Sequence, residues 1–130
     1  MKSTDKQAIV LFAHGARDPE WRAPVDAMAR MLREAMPGTR VDVAFLEFMS
    51  PTLGETIDAA AAAGARRVSV APLFWAEGGH LKREVPALLV QAAARHPTLV
   101  IDRWPVLGDS AEVLTALAGV YRARWMRTAL

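Results

Sequence analysis

Short, continuous apolar runs alternate along the chain with longer segments in which apolar residues recur every three or four positions. The runs span 8–13 and 99–101, which are entirely apolar, and 41–46 and 68–74, which contain one polar residue each, Asp42 and Ser69. Runs of this length and composition are typical of strands that are covered on both faces. The intervening segments, and the one after the last run, have the period of amphipathic helices. The pattern therefore predicts the order β-α-β-α-β-α-β-α.

Helix boundaries are indicated by capping residues and prolines. Asp18-Pro19 predicts the start of the first helix and Ser50-Pro51 the start of the second, which should end at Gly64. Pro24 should kink the first helix. The third helix includes residues 86–95 and has an undefined start near His80. The fourth should be capped by Asp109-Ser110 and carry one apolar face, made of Val113, Leu117, Tyr121 and Trp125.

This alternation predicts right-handed crossovers and a parallel sheet. We expect an α/β fold, a single flavodoxin-like three-layer unit with a four-stranded parallel sheet of order 2-1-3-4 and helices on both faces. No linker-like segment divides the 130 residues, so one domain over 1–130 is expected, preceded by a polar tail at 1–7. Ligands of such sheets bind beyond the carboxyl ends of the strands, near the first strand.

Composition limits the chemistry. The chain has no cysteine, which excludes disulfides and thiolate metal ligands and favours a cytoplasmic protein. The apolar run at 8–13 is too short for a membrane span or a signal sequence. The net charge of +2 is too small to indicate nucleic-acid binding. We therefore expect neither a membrane nor a nucleic acid as partner.

Two histidines occupy matched positions. His14 follows the first strand and His80 follows the third, each beside glycine. A lone histidine could equally make a hydrogen bond in a turn, but two at one sheet edge have no common packing explanation. They predict a divalent metal site with open coordination positions, which suggests catalysis. His96, near a helix C-terminus, is interpreted as structural.

Other polar and aromatic side chains flank these histidines. Glu47 follows the second strand and either faces solvent or serves as a third ligand or a base. Arg17, Lys82 and Arg83 are individually ordinary solvated charges, but as a cluster they favour an anionic substrate. Trp75 could form an apolar wall for a flat ligand, or simply pack. No G-x-G-x-x-G or Gly-Lys-Ser/Thr motif follows a strand, so nucleotide binding is weakly supported.

Taken together, these motifs resemble the small sirohydrochlorin chelatases of the CbiX type, single-domain members of the class II chelatase superfamily. The resemblance rests on His14-Gly15-Ala16-Arg17-Asp18-Pro19, on Leu46-Glu47 with Pro51-Thr52-Leu53, and on Pro72-Leu73-Phe74 through Gly79-His80-Leu81-Lys82-Arg83-Glu84-Val85-Pro86. The chain departs from the family at Ala16, where serine is usual, and at Glu84-Val85-Pro86, where Asp-Ile-Pro is common.

The resemblance implies insertion of a divalent metal into sirohydrochlorin, a tetrapyrrole with eight carboxylates. The metal is a substrate, and no permanently bound cofactor is expected. His14 and His80 would be metal ligands and catalytic residues, with Glu47 as a helper. Arg17, Lys82, Arg83 and Trp75 would bind the tetrapyrrole.

Several alternatives remain open at this stage. The leading function is cobalt insertion on the cobalamin route, with iron insertion for sirohaem second and nickel also conceivable. A non-catalytic carrier of metal or tetrapyrrole belongs to a different class, and a flavodoxin-like regulatory or nucleotide module is the weakest reading.

We also expect a homodimer, because one unit offers a single wall of loops to a flat macrocycle. The apolar loop residues Phe48, Met49, Phe74 and Trp75 could line the shared cleft, and Trp104 and Trp125 are interface candidates.

Overall fold

A computed structural model describes residues 6–129. Four strands are present: β1 (Gln7–Ala13), β2 (Arg40–Phe45), β3 (Arg67–Pro72) and β4 (Val100–Arg103). The α-helices are α1 (Ala23–Ala35), α2 (Leu53–Ala62), α3 (Gly79–Arg95) and α4 (Ala111–Thr128), with short 3-10 helices at Pro19–Arg22 and Leu107–Asp109. All strand pairs are parallel and the strand order is β2-β1-β3-β4, so the predicted fold is confirmed.

The alternation of side chains along β1 places one core cluster on each face of the sheet. Ala8, Val10 and Phe12 pack with buried residues of α2 and α3. Leu11 and Ala13 pack with buried residues of α1 on the opposite face. Helices therefore lie on both faces, which explains why β1 is a continuous apolar run rather than an alternating one. None of the helices in the described part of the chain is long and apolar enough to cross a membrane.

The prediction that Ser50-Pro51 caps the second helix is wrong. Thr52 is the N-cap of α2: its hydroxyl accepts a hydrogen bond from the Glu55 N–H, and the Glu55 carboxylate accepts one from the Thr52 N–H. This reciprocal pair satisfies two backbone donors at once, which a serine followed by proline does not do here. The Ser50–Pro51 peptide bond is cis and precedes the helix.

Smaller differences concern the ends of elements. Asp18 caps the 3-10 helix, so α1 starts later than predicted and Pro24 falls in its first turn, where its missing N–H removes no hydrogen bond from the helix. The first strand begins at Gln7, inside the predicted polar tail; residues 1–5 of that tail lie outside the described residues. The third strand ends at Pro72, two residues before the predicted end.

The packing expected for the last helix is not observed. Ser110 caps α4 as predicted, but α4 has no buried residue, and Tyr121 and Trp125 on its apolar face are 63% and 68% exposed. Its main tertiary neighbour is the 3-10 helix that precedes it. The helix therefore contributes almost nothing to the core of its own chain.

His96 is structural, as interpreted, but through a side-chain contact. It is the C-cap residue of α3, and its Nε2 lies 2.6 Å from Oδ1 of Asp58 on α2. The hydrogen bond from His96, supported by Arg95, lowers the pKa of Asp58 below its ordinary value. The pair ties α2 to the C-terminal end of α3, whereas His80 lies at the N-terminal end of that helix.

A close backbone contact joins the loops that follow β1 and β2. Gly15 has φ +92°, and a Cβ at this position would lie 2.0 Å from the carbonyl oxygen of Glu47. Gly64, the predicted end of α2, has a similar φ of +97°, but nothing lies within 4 Å of a Cβ built there. The two glycines thus have a similar φ, but only Gly15 has a neighbouring backbone atom where a Cβ would lie.

We predict that Gly15→Ala destabilises the protein more than Gly64→Ala. Both should lose about 1–2 kcal/mol because alanine is strained at positive φ, and Gly15→Ala should lose roughly a further 1–3 kcal/mol from overpacking. Urea unfolding followed by circular dichroism measures both values. Equal losses in the two variants would show that the contact with Glu47 is unimportant.

Candidate metal and tetrapyrrole site

His14 is the first residue after β1, at the carboxyl edge of the sheet. The pairing of β1 with β2 continues past the strand ends, because the Leu46 N–H donates to the Ala13 carbonyl and the Glu47 N–H donates to the His14 carbonyl. These bonds place the two side chains together: His14 Nε2 lies 3.1 Å from Glu47 Oε1. About half of each side chain is exposed. The predicted proximity of His14 and Glu47 is therefore observed.

His80 lies on the first turn of α3 rather than in a loop. Gly78 is the N-cap residue and the helix starts at Gly79, so His80 projects at the helix N-terminus with 74% of its side chain exposed. Its Nε2 is 2.5 Å from Oε2 of Glu84, one turn further along the helix. The structure thus contains a second histidine–carboxylate pair.

The two pairs share one chemical arrangement. His14 Nε2 makes a hydrogen bond with Glu47, and a carboxylate that accepts from one nitrogen of a neutral imidazole favours the tautomer in which that nitrogen carries the proton. The unprotonated Nδ1 then has its lone pair free for a metal ion. Carboxylates that hold the second nitrogen of a metal-binding histidine fix the tautomer and the ring orientation. A metal ion that binds either histidine in this tautomer would do so through Nδ1.

The two pairs do not form one closed cluster. Within residues 6–129, no group of three or more His, Asp or Glu side chains is arranged to hold a metal ion. Phe74 lies next to the first pair: its ring is 6.2 Å from the His14 ring at an interplanar angle of 86°, and it is almost completely buried. Phe74 also lies in the loop that leads from β3 to His80. Among the described residues, the structure therefore brings His14 together with Glu47 and Phe74, and it pairs His80 separately with Glu84.

The three predicted cationic residues are exposed at the same edge. Arg17 stacks on Phe48, with the guanidinium carbon 4.7 Å from the ring centroid. Lys82 and Arg83 lie on the first turns of α3, near His80. None of the three makes an ion pair with another described residue, so their charges are available to an anionic ligand. Trp75 is 57% exposed, as a ligand-binding wall would require.

Sequence reasoning missed the role of Glu84 and the stacking of Arg17 on Phe48. A histidine followed four residues later by glutamate on a helix puts both side chains on one face. This spacing is informative only when both residues are known to be helical, and the sequence leaves the start of the third helix undefined. Phe48 adopts a left-handed backbone conformation, φ +67°, which no sequence motif indicates.

Comparisons with known proteins place this geometry in context. The model of the CbiX family matches residues 8–123. A sirohydrochlorin cobaltochelatase from Methanococcus aeolicus is 35% identical over 83 residues, which cover 64% of this chain and 58% of that protein. The matched segment is thus less than two thirds of the relative's length.

Solved structures share the fold. A CbiX protein from Marinobacter aquaeolei VT8 superposes with a TM-score of 0.81 at 27% identity, over 93% of this chain and 98% of that chain. The sirohydrochlorin chelatase SirB from Bacillus subtilis subspecies spizizenii, in complex with cobalt, gives a TM-score of 0.77 at 26% identity, over 91% of this chain but only 50% of that one. The family match over nearly the whole chain, together with this shared fold, shows that the chain belongs to the CbiX family.

Proposed function

We propose that this protein is a sirohydrochlorin cobaltochelatase, a single chelatase unit that inserts a divalent metal ion into a tetrapyrrole. The observation that carries the proposal is the pair of exposed imidazoles, His14 and His80, each held by a carboxylate at the edge of the sheet. The cobaltochelatase name of the Methanococcus aeolicus relative and the cobalt complex of SirB favour cobalt over iron or nickel. The absence of cysteine supports a cytoplasmic enzyme.

The chemistry requires a metal ion to be partly dehydrated and then transferred. One or two neutral imidazoles, with water in the remaining positions, bind a divalent ion without enclosing it. As the ion enters the ring, its bonds to imidazole are replaced by bonds to ring nitrogens, and two pyrrole protons are released. Glu47, half exposed beside His14, is the nearest carboxylate that could accept one of them.

In our proposal, positively charged side chains attract the anionic substrate. Sirohydrochlorin carries eight carboxylates, and Arg17, Lys82 and Arg83 are cations without an ion-pair partner among residues 6–129. We assign them to binding of the substrate carboxylates and Trp75 to one face of the ring. Because these residues contact the rim rather than the reacting nitrogens, they act mainly on substrate affinity.

We predict that His14→Ala and His80→Ala each reduce the insertion rate roughly 10²-fold or more, because each removes a metal ligand. Glu47→Gln should lose about tenfold, since it retains the shape and a weaker hydrogen bond. Anaerobic absorbance assays with sirohydrochlorin and cobalt measure the rates after circular dichroism has confirmed folding. His96→Ala is the matched control and should keep the rate of the parent. If either histidine variant inserted cobalt as fast as the parent, after subtraction of the spontaneous rate, the assignment of that histidine as a metal ligand would be wrong.

We predict that replacing Arg17, Lys82 and Arg83 with glutamine raises KM roughly tenfold while kcat changes little. Added salt should raise the KM of the parent and have a smaller effect on the triple variant, because screening removes the same attraction. Arg66→Gln, at the opposite edge of the sheet, removes one positive charge and is the control for each of the three replacements made singly. An unchanged KM and an unchanged salt response in the triple variant would mean that the three residues do not contact substrate.

The active unit, in our proposal, is a homodimer. One sheet edge supplies a single wall of loops, whereas a flat macrocycle needs enclosure on two sides. This chain covers only half of the SirB chain, so a second copy would provide what corresponds to the other half. Phe48 and Trp75, both more than half exposed beside the histidines, are available to line the cleft, with Met49 and Phe74 behind them.

We predict that the active protein has twice the chain mass of 14.2 kDa. Light scattering coupled to size-exclusion chromatography measures this mass. The dimer should persist at micromolar concentration, as an interface of standard size does. A fully active species with the mass of one chain would exclude a shared cleft and leave the histidine assignment intact.

A further inference from the structure

Phe48 has a backbone conformation that its own burial does not explain. Its φ of +67° lies in the left-handed region, which a residue with a bulky side chain rarely adopts. The side chain is 57% exposed, so its burial removes little apolar area from water to offset this strain. Strained backbone of this kind is concentrated at functional sites, where the surrounding structure fixes it. The conformation therefore indicates that the position of this ring matters to the site.

The loop after β2 places the Phe48 ring beside the first histidine pair. Glu47, the preceding residue, donates its N–H to the His14 carbonyl, and its carboxylate lies 3.1 Å from His14 Nε2. The ring carries the Arg17 guanidinium, whose carbon lies 4.7 Å from the ring centroid. Phe48 thus has a carboxylate next to it in the chain and a guanidinium stacked on its face.

These two opposite charges do not pair with each other. Consecutive α-carbons are only about 3.8 Å apart, so an arginine that extends to Phe48 is also close enough to reach Glu47. Nevertheless, Arg17 forms no ion pair among residues 6–129, and Glu47 is paired with His14 instead. The stacking on Phe48 is therefore the contact that the Arg17 guanidinium makes in place of an ion pair.

Arg22 shows how a stacked arginine differs when a carboxylate also binds it. Its guanidinium carbon is likewise 4.7 Å from an aromatic centroid, that of Phe45. Arg22 also donates hydrogen bonds to both carboxylate oxygens of Asp26 and to the Ser50 carbonyl. Its charge is thus neutralised within the chain, and its role is structural. Arg17 has the aromatic ring without the carboxylate, so its charge is available to a ligand.

We infer that Phe48 is a positioning residue that keeps Arg17 apart from Glu47. An exposed cation–π contact and an exposed ion pair are of similar strength, so the ring decides which of the two contacts the guanidinium makes. Held on the ring, Arg17 keeps its charge for a carboxylate of the substrate, and Glu47 stays beside His14. This inference rests on the proposed function, because it concerns substrate binding by Arg17 and metal insertion at the histidine pair.

The stacking itself is tested without substrate, by nuclear magnetic resonance. A guanidinium over the face of an aromatic ring experiences a ring-current shift, so the Arg17 Nε–H proton should resonate upfield in the parent and in Phe48→Tyr. In Phe48→Leu the signal should move downfield, and its loss in Arg17→Gln assigns it. Phe48→Gly, which removes the ring and the strain at positive φ together, should match Phe48→Leu. An unshifted Arg17 signal in the folded parent would refute the contact.

Binding of metal-free sirohydrochlorin separates an indirect role of Phe48 from a direct one. Phe48→Leu should raise Kd about threefold in the parent background, because the stacking that it removes has a strength of this order. It should change Kd little in the Arg17→Gln background, and Phe48→Tyr should bind as the parent does. An equal rise in both backgrounds would show that the ring contacts the tetrapyrrole by itself and would overturn the inference.

Cobalt insertion tests the effect on Glu47, in variants whose folding circular dichroism has confirmed. Phe48→Leu should lower kcat about threefold, because the released Arg17 pairs with Glu47. Adding Arg17→Gln should restore the parental kcat while KM stays high. A kcat that Phe48→Leu does not lower, or that Arg17→Gln does not restore, would overturn the inference. A parent that shows the upfield Arg17 signal but inserts no metal would instead refute the proposed function, and with it the substrate role of Arg17, and leave the contact standing.

Discussion

The site depends on the continuation of the parallel β-sheet hydrogen bonds past the ends of its strands. Phe12, Ala13 and His14 each accept a backbone hydrogen bond from the chain that follows a neighbouring strand. These bonds hold the loops after β2 and β3 against the loop after β1. A side chain at Gly15 would push the loop after β1 away from the loop after β2. Without this contact, His14 would face solvent with no carboxylate beside it.

This constraint explains how the chain achieves a defined but open site. Each histidine is oriented by one carboxylate, Glu47 or Glu84, and half or more of its surface faces solvent. The carboxylates come from different elements, one from a loop and one from the helix that carries His80. Oriented nitrogen donors with open positions suit a metal that must be released. In our proposal the unpaired cations nearby then attract the tetrapyrrole that receives it.

Much of the fold was predictable from sequence because β1, β2 and β3 carry buried apolar residues and the turns carry strong local signals. The β-α alternation predicts a parallel sheet, the order 2-1-3-4 is that of a flavodoxin-like unit, and the location of His14 and Glu47 follows from this order. The pairing of His80 with Glu84 was not predictable, because it depends on the start of α3 at Gly79. The N-cap at Thr52 was misassigned because a proline signal competed with a capping box. The exposure of α4 was also not predictable, because an apolar helix face indicates that the face is buried but does not indicate against which surface.

In our proposal, this chain transfers a divalent metal ion into sirohydrochlorin. The most direct measurement is an anaerobic absorbance assay of the purified protein with sirohydrochlorin, in which cobalt, iron and nickel are supplied separately. We expect insertion well above the spontaneous rate, with the highest kcat/KM for cobalt. Tight binding of metal or tetrapyrrole with no acceleration for any of the three metals would contradict it and identify a carrier instead.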